Sequence, residues 1–155
     1  RAVQSGDGEL FIAGGVEQDP GYRGQVSFAG IQPDSTTADA LAQACASIAE
    51  TVTIAGIIVF TGSGSTARRV ARERPAAPML LLTPSVRTAR RLALLWGTHP
   101  VVTRDIGSFE EMIAKGKRMA LRHGFGAAGS KLIALAGVPF GTPGSTNVLR
   151  IAWVE

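Results

Sequence analysis

Six consecutive residues, Thr61-Gly62-Ser63-Gly64-Ser65-Thr66, place two glycines and four hydroxyls between an apolar run and the start of a helical pattern. Glycine lets a backbone come close to a ligand, and hydroxyls donate hydrogen bonds. The free N–H groups of a helix start, with the positive end of its dipole, favour an anion such as phosphate. The same composition also suits a plain strand-to-helix turn, tight because of glycine and capped by Ser or Thr. From these six residues both readings stand.

Gly62 to Ala67 fits G-x-G-x-x-A, a dinucleotide fingerprint, but no acid stands at the end of the next strand to hold a ribose. Thr83-Pro84-Ser85 occupies that place. No Lys-Ser or Lys-Thr pair follows the glycines, so a Walker A loop is excluded. Arg68 or Arg69 could turn toward an anion at the helix start, or belong with Arg72 and Arg74 to a solvated face. His99 and His123 lack metal-ligand spacing and read as structural, and the single Cys45 reads as a core residue. Asp105, Glu110 and Glu111 resemble loop and helix-start acids. No acid–base pair or activated nucleophile emerges, so the residues describe a binding module with no catalytic residue and no metal site.

The elements that must position the loop follow from periodicity. Asp34-Ser35-Thr36-Thr37 offers N-caps, Asp39 adds negative charge to the first turn, and Leu41, Cys45, Ile48 and Val52 set a helix over 37–51. Thr53–Phe60 is a strand without polar alternation, as in a sheet covered on both faces. A helix over 66–73 is closed by Pro75, and Met79–Thr83 is the second strand. Pro84 near N1 opens a helix that Gly97 ends, with Val86, Ala89, Leu92, Ala93 and Trp96 as its buried stripe. A shorter strand covers 99–104. Ser108 and Glu111 have capping-box spacing for a helix to about His123, with Phe109, Met112, Ile113, Gly116 and Ala120 inward. Strands over 131–136 and 148–154 follow, the last with Leu149, Ile151 and Trp153 on one face. The linker over 137–147 is too short for a helix, so these two strands are antiparallel neighbours.

The expected architecture is α/β: a three-layer open sheet of about five strands, mostly parallel, the last antiparallel, with helices on both faces. In such sheets ligands bind beyond the carboxyl ends of the parallel strands. The 61–66 loop and the start of the 137–147 loop lie at such ends, so two Gly/Ser/Thr loops face one mouth.

With 155 residues, 45% hydrophobic and 18% charged, the chain fits a folded domain and not a disordered one. A formal charge of +4 biases it toward acidic or phosphorylated partners, without the dense clusters of a nucleic-acid binder. No signal peptide pattern opens it and no apolar run is long enough to span a membrane, so a soluble protein of a reducing compartment, the cytoplasm, is expected. Residues 1–33, broken by glycines and by Asp19-Pro20-Gly21, read as a lead-in, and an initial Arg in place of Met suggests a fragment.

Several motifs in register resemble the carboxy-terminal domain of pyruvate kinase. They are Val59 to Arg68, Arg74-Pro75-Ala76-Ala77-Pro78, Thr83-Pro84, Ala89 to Gly97, Ala136-Gly137-Val138-Pro139 and Gly144-Ser145-Thr146-Asn147. The likeness runs over about 34–155, and Val16 to Arg23 is similar to the family's exit from its catalytic barrel. The resemblance implies a family reaction that moves a phosphoryl group between phosphoenolpyruvate and ADP, with magnesium and usually potassium, in that barrel. For this chain it implies a regulatory and assembly domain, inactive alone and without a cofactor of its own. Thr61, Gly62, Ser63, Gly64, Ser65 and Thr66 would cradle an effector phosphate. Gly141, Thr142, Pro143, Gly144, Ser145 and Thr146 would close over the effector. Implied partners are a sugar phosphate or nucleotide monophosphate, the barrel domain and further copies in a homo-oligomer; neither nucleic acid nor membrane is among them. Ile106 to Ile113 offers no arginine where effector-responsive relatives often place one, which favours a monophosphate over fructose bisphosphate. The alternative is a stand-alone α/β protein with another small phosphorylated ligand.

Overall fold

The computed structural model describes residues 36–140 and 145–155. The expected lead-in over 1–33 and the loop residues Gly141, Thr142, Pro143 and Gly144 lie outside the described residues. Among those described, the order is α1 (Thr37–Thr51), β1 (Gly56–Phe60), α2 (Ser65–Arg72), β2 (Met79–Thr83), α3 (Val86–Leu92), β3 (Thr98–Val102), α4 (Phe109–Arg122), β4 (Lys131–Gly137) and β5 (Thr146–Trp153). The strands form one sheet in the order β3-β2-β1-β4-β5. All neighbours are parallel except β4 and β5. The α/β architecture read from the sequence is the observed one.

Every residue of β1 and β2 is buried, which their unbroken apolar sequence requires. Alternate side chains feed two cores. Ile57, Val59, Met79, Leu81, Ile133 and Leu135 meet Ala42 and Cys45 of α1, Ala67 and Val70 of α2 and Leu92 of α3. Ile58, Phe60, Leu80, Leu82, Leu132 and Ala134 meet Met112, Ile113 and Ala120 of α4. Three helices thus share one face of the sheet, and among the described residues α4 alone lies on the other. A Cβ at Gly116 of α4 would stand 2.6 Å from Ile58 Cδ1, so glycine lets this helix sit directly on β1.

Several boundaries differ from the sequence reading. α1 buries its small residues, Ala38, Ala42, Cys45 and Ala46, while Leu41 and Ile48 are half-buried at its flank. α3 begins at Val86 with Ser85 as N-cap, so Pro84 precedes the cap and does not occupy N1. It also stops at Leu92: the Thr98 hydroxyl bonds the Leu92 carbonyl at 2.7 Å and lies 3.0 Å from that of Leu95, drawing 93–97 into a turn. The expected stripe therefore fails at Val86, Ala93 and Trp96, which are exposed, and holds at Ala89 and Leu92. On β5, Leu149 and Ile151 pack on the α1 side, but Trp153 is exposed. In α4, Glu111 accepts from Gly107 N–H, not from the Ser108 N-cap, so the capping box is half formed.

Candidate functional site

The 61–66 loop sits where β1 leaves the sheet. Four threonines fix it. The Thr61 hydroxyl accepts from Gly64 N–H at 2.9 Å, and the Thr88 hydroxyl, from the start of α3, donates to the Gly62 carbonyl at 2.9 Å. Thr66 and Thr146 share a hydrogen bond of 2.6 Å between their hydroxyls, both buried. The last of these joins the first turn of α2 to the start of β5, 80 residues apart in the chain.

Gly64 is the N-cap of α2 and lies at φ 87°, a left-handed conformation that glycine adopts without strain. A Cβ there would also stand 3.0 Å from Leu92 Cδ2. Having no side chain, this cap offers the first turn no acceptor of its own, and Ser65 N–H donates instead to Ser63 Oγ at 3.4 Å. Gly62 and Ser63 are exposed, Ser65 is half-buried, and the two serine hydroxyls are 3.2 Å apart. Of the four hydroxyls, then, Thr61 and Thr66 are engaged inside the fold, while Ser63 and Ser65 form the accessible rim. Arg68 Nη1 lies 3.5 Å from where a Gly64 Cβ would be, which makes Arg68 the cation of this helix start. Arg69 turns away to Asp39.

The second loop is anchored at its base. The Asn147 side chain accepts from Val138 N–H at 2.9 Å and donates to the Val138 carbonyl at 2.6 Å, continuing the β4–β5 ladder past its last backbone pair. Val138–Pro139 is a cis peptide. Phe140 leans edge-on against Phe60 at 5.4 Å between ring centres, holding this loop against the end of β1. Of the six residues expected to close over a ligand, Thr146 is buried and Ser145 half-buried; the other four lie outside the described residues.

Asp39 is a structural residue that sequence reasoning placed only by its charge. It completes a capping box with Thr36 at the start of α1. It also accepts from Arg69 at 3.2 Å and Arg72 at 3.1 Å, tying α1 to α2. The Thr36…Asp39 spacing was the available signal; the arginine partners lie 30 and 33 residues away. The Thr36 hydroxyl, then the Thr36 N–H and the two arginines, hold this carboxyl below its ordinary value of 3.8. A carboxylate with a lowered folded pKa adds stability above its ordinary pKa and loses it as pH falls through the lowered value. Asp39→Asn should thus melt below the native chain at neutral pH, and the gap should close as thermal scans move from about pH 5 to about pH 2. Asp39→Ala should cost about 1–2 kcal/mol in urea unfolding at neutral pH.

His99 Nε2 and His123 Nδ1 lie 3.0 Å apart on the opposite face, with Phe125 against His99. Their 24-residue separation concealed the pairing. Cys45 is fully buried, and burial pushes its thiol up to about 12, so it is a core residue and not a nucleophile. Among the described residues no group of three or more His, Cys, Asp or Glu converges on a metal position. No helix of the described residues is long and apolar enough to cross a membrane.

Comparison with known proteins agrees with the α/β fold. The family profile described as "Pyruvate kinase, alpha/beta domain" matches residues 39–152. The chain is 43% identical over 143 residues to the pyruvate kinase of Methylorubrum extorquens, covering 92% of this chain and 30% of that protein. It is 38% identical to that of Clostridium acetobutylicum over 77% of this chain and 25% of the relative. A pyruvate kinase of Agrobacterium vitis is 37% identical over 75% and 24%. The chain thus spans less than a third of the curated relatives it matches. With that profile running from the first turn of α1 into β5, the chain belongs to the family of pyruvate kinase alpha/beta domains.

Proposed function

We propose that this domain is the regulatory and subunit-assembly part of a pyruvate kinase and that it binds a phosphorylated effector at Thr61–Thr66. One observation carries the reading: a left-handed glycine caps α2 without a side chain, and the accessible Ser63 and Ser65, with Arg68, stand around that uncapped helix start. Such a set suits a phosphate, whose oxygens accept from N–H and O–H donors together. The Thr66–Thr146 bond supports a role for the second loop, since it fixes that loop's carboxyl-terminal root to the first helical turn. A sugar phosphate or nucleotide monophosphate is the ligand class. Transfer of the phosphoryl group between phosphoenolpyruvate and ADP, with its magnesium and potassium, belongs on this reading to a barrel joined to the domain, and the setting is the cytoplasm. The edge of β5, unpaired among the described residues, and exposed Trp153 support assembly with further copies.

Calorimetric titration with glucose 6-phosphate and with AMP tests the reading. One saturable site is expected in the native chain and none in Ser65→Asp; equal binding to both overturns it. Arg68→Ala should weaken the same site by about tenfold, the size of a rim cation beside a phosphate.

A further inference from the structure

Five strands about 4.8 Å apart span roughly 20 Å, whereas a helix with its side chains covers about 10 Å. On the face where α4 stands alone among the described residues, it rests over the middle of the sheet with Gly116 against Ile58, and grooves remain on both sides. The groove toward β5 contains both signs of charge and is bridged by Lys117 and Glu155 at 2.6 Å. The groove toward β3 differs. It encloses about 460 Å³ and its lining contains no acid.

Lys115, Arg118, Met119 and Arg122 stand at i, i+3, i+4 and i+7 on α4, so one stripe of the helix forms one wall. Arg104 stands opposite, beyond the end of β3, and Val101 and Met119 supply an apolar floor. Lys115 is already engaged: its ammonium bonds the Arg104 carbonyl at 3.2 Å and lies 3.7 Å from Glu111. That contact fixes the Arg104 segment over the helix. Arg104, Arg118 and Arg122 are exposed, and among the described residues none has an ion-pair partner. His123 closes the far end of the groove and is held by His99.

We infer that this groove is a second anion site, separate from the 61–66 loop, and that it takes a diphosphate. Three unpaired guanidinium groups over one hollow repel one another, and a single phosphate cannot bridge them all. Two adjacent ionised phosphates can, through the planar forks of Arg118 and Arg122 one helical turn apart and Arg104 across the gap. The hollow is of ligand size, and its apolar floor gives a base or other flat group a surface beside the charges. The shared chemistry is the diphosphate; it could be inorganic or carried by a nucleoside.

Calorimetry on the 155-residue chain with inorganic pyrophosphate, inorganic phosphate and ADP distinguishes these sources. Pyrophosphate should bind at least about tenfold tighter than phosphate, and weaken as salt rises. Tighter binding of ADP than of pyrophosphate assigns the floor to a base, and weaker binding assigns the groove to the inorganic ion. The double variant Arg118→Ala/Arg122→Ala alters exposed side chains only, so circular dichroism should show a native fold, while pyrophosphate affinity falls at least about tenfold. Ser65→Asp should leave pyrophosphate binding unchanged, which separates this site from the loop. The inference is overturned if neither pyrophosphate nor ADP binds with a Kd below about 5 mM. It is equally overturned if the arginine variant binds like the native chain, or if Ser65→Asp abolishes pyrophosphate binding.

Discussion

A chain carrying Ser65→Asp should lose effector binding by at least about a hundredfold, near 2.7 kcal/mol, with no fall in melting temperature. The two effects have opposite electrostatic signs at one position. Ser65 is the first residue of α2, where a carboxylate interacts favourably with the helix dipole by about 0.3–1 kcal/mol. A phosphate held by the same N–H groups would face that carboxylate at about 4 Å, where like charges near a protein surface repel by about 4 kcal/mol each. The bond that Ser65 loses, to Ser63, is at an exposed rim and adds little. Ser65→Ala removes a donor without adding charge and should weaken binding only severalfold. A Ser65→Asp chain that melts early and binds weakly would point to misfolding; one that melts normally and still binds would place the ligand elsewhere.

Gly116→Leu should destabilise the domain by about 3 kcal/mol, lowering the melting temperature by about 10 °C, while Gly116→Ala should be close to neutral. Alanine improves the helix by about 1 kcal/mol over glycine. Its Cβ would meet the tip of Ile58, with Cδ1 at 2.6 Å and Cγ2 at 3.0 Å, so that side chain must rotate or shift within a full core. The gain and the cost are of similar size. Leucine adds three more carbons to a contact that has no space for one, and α4 must lift from β1. Met112, Ile113 and Ala120 would lift with it. Urea unfolding of the two variants beside the native chain measures both, and a Leu variant as stable as the Ala variant would show that α4 can tilt freely.

The β-strands were legible because burial on both faces leaves nothing polar in Ile57–Phe60 or Met79–Leu82, and the brevity of 137–147 dictated the antiparallel pair. Periodicity misled at α3. Val86 and Trp96, expected in its buried stripe, are 52% and 56% exposed. The stop at Leu92 depends on the Thr98 hydroxyl, a tertiary bond that no spacing rule announces. At the site, glycines and hydroxyls were visible but their division of labour was not. Thr61 and Thr66 look the same as Ser63 and Ser65 in sequence, and only partners such as Thr146 and Thr88 decide which hydroxyls are occupied. Ion pairs and histidine contacts across tens of residues, at Asp39 and at His99, were unreadable for the same reason.

The rim of the 61–66 loop is made of backbone N–H groups, serine hydroxyls and one arginine. Backbone N–H groups and serine hydroxyls keep their protons throughout the range in which a phosphate ester ionises. Any pH profile of phosphate binding there would therefore belong to the ligand, rising as the phosphate gives up its second proton near pH 6. A loop built this way would register how much doubly charged phosphate ester is present.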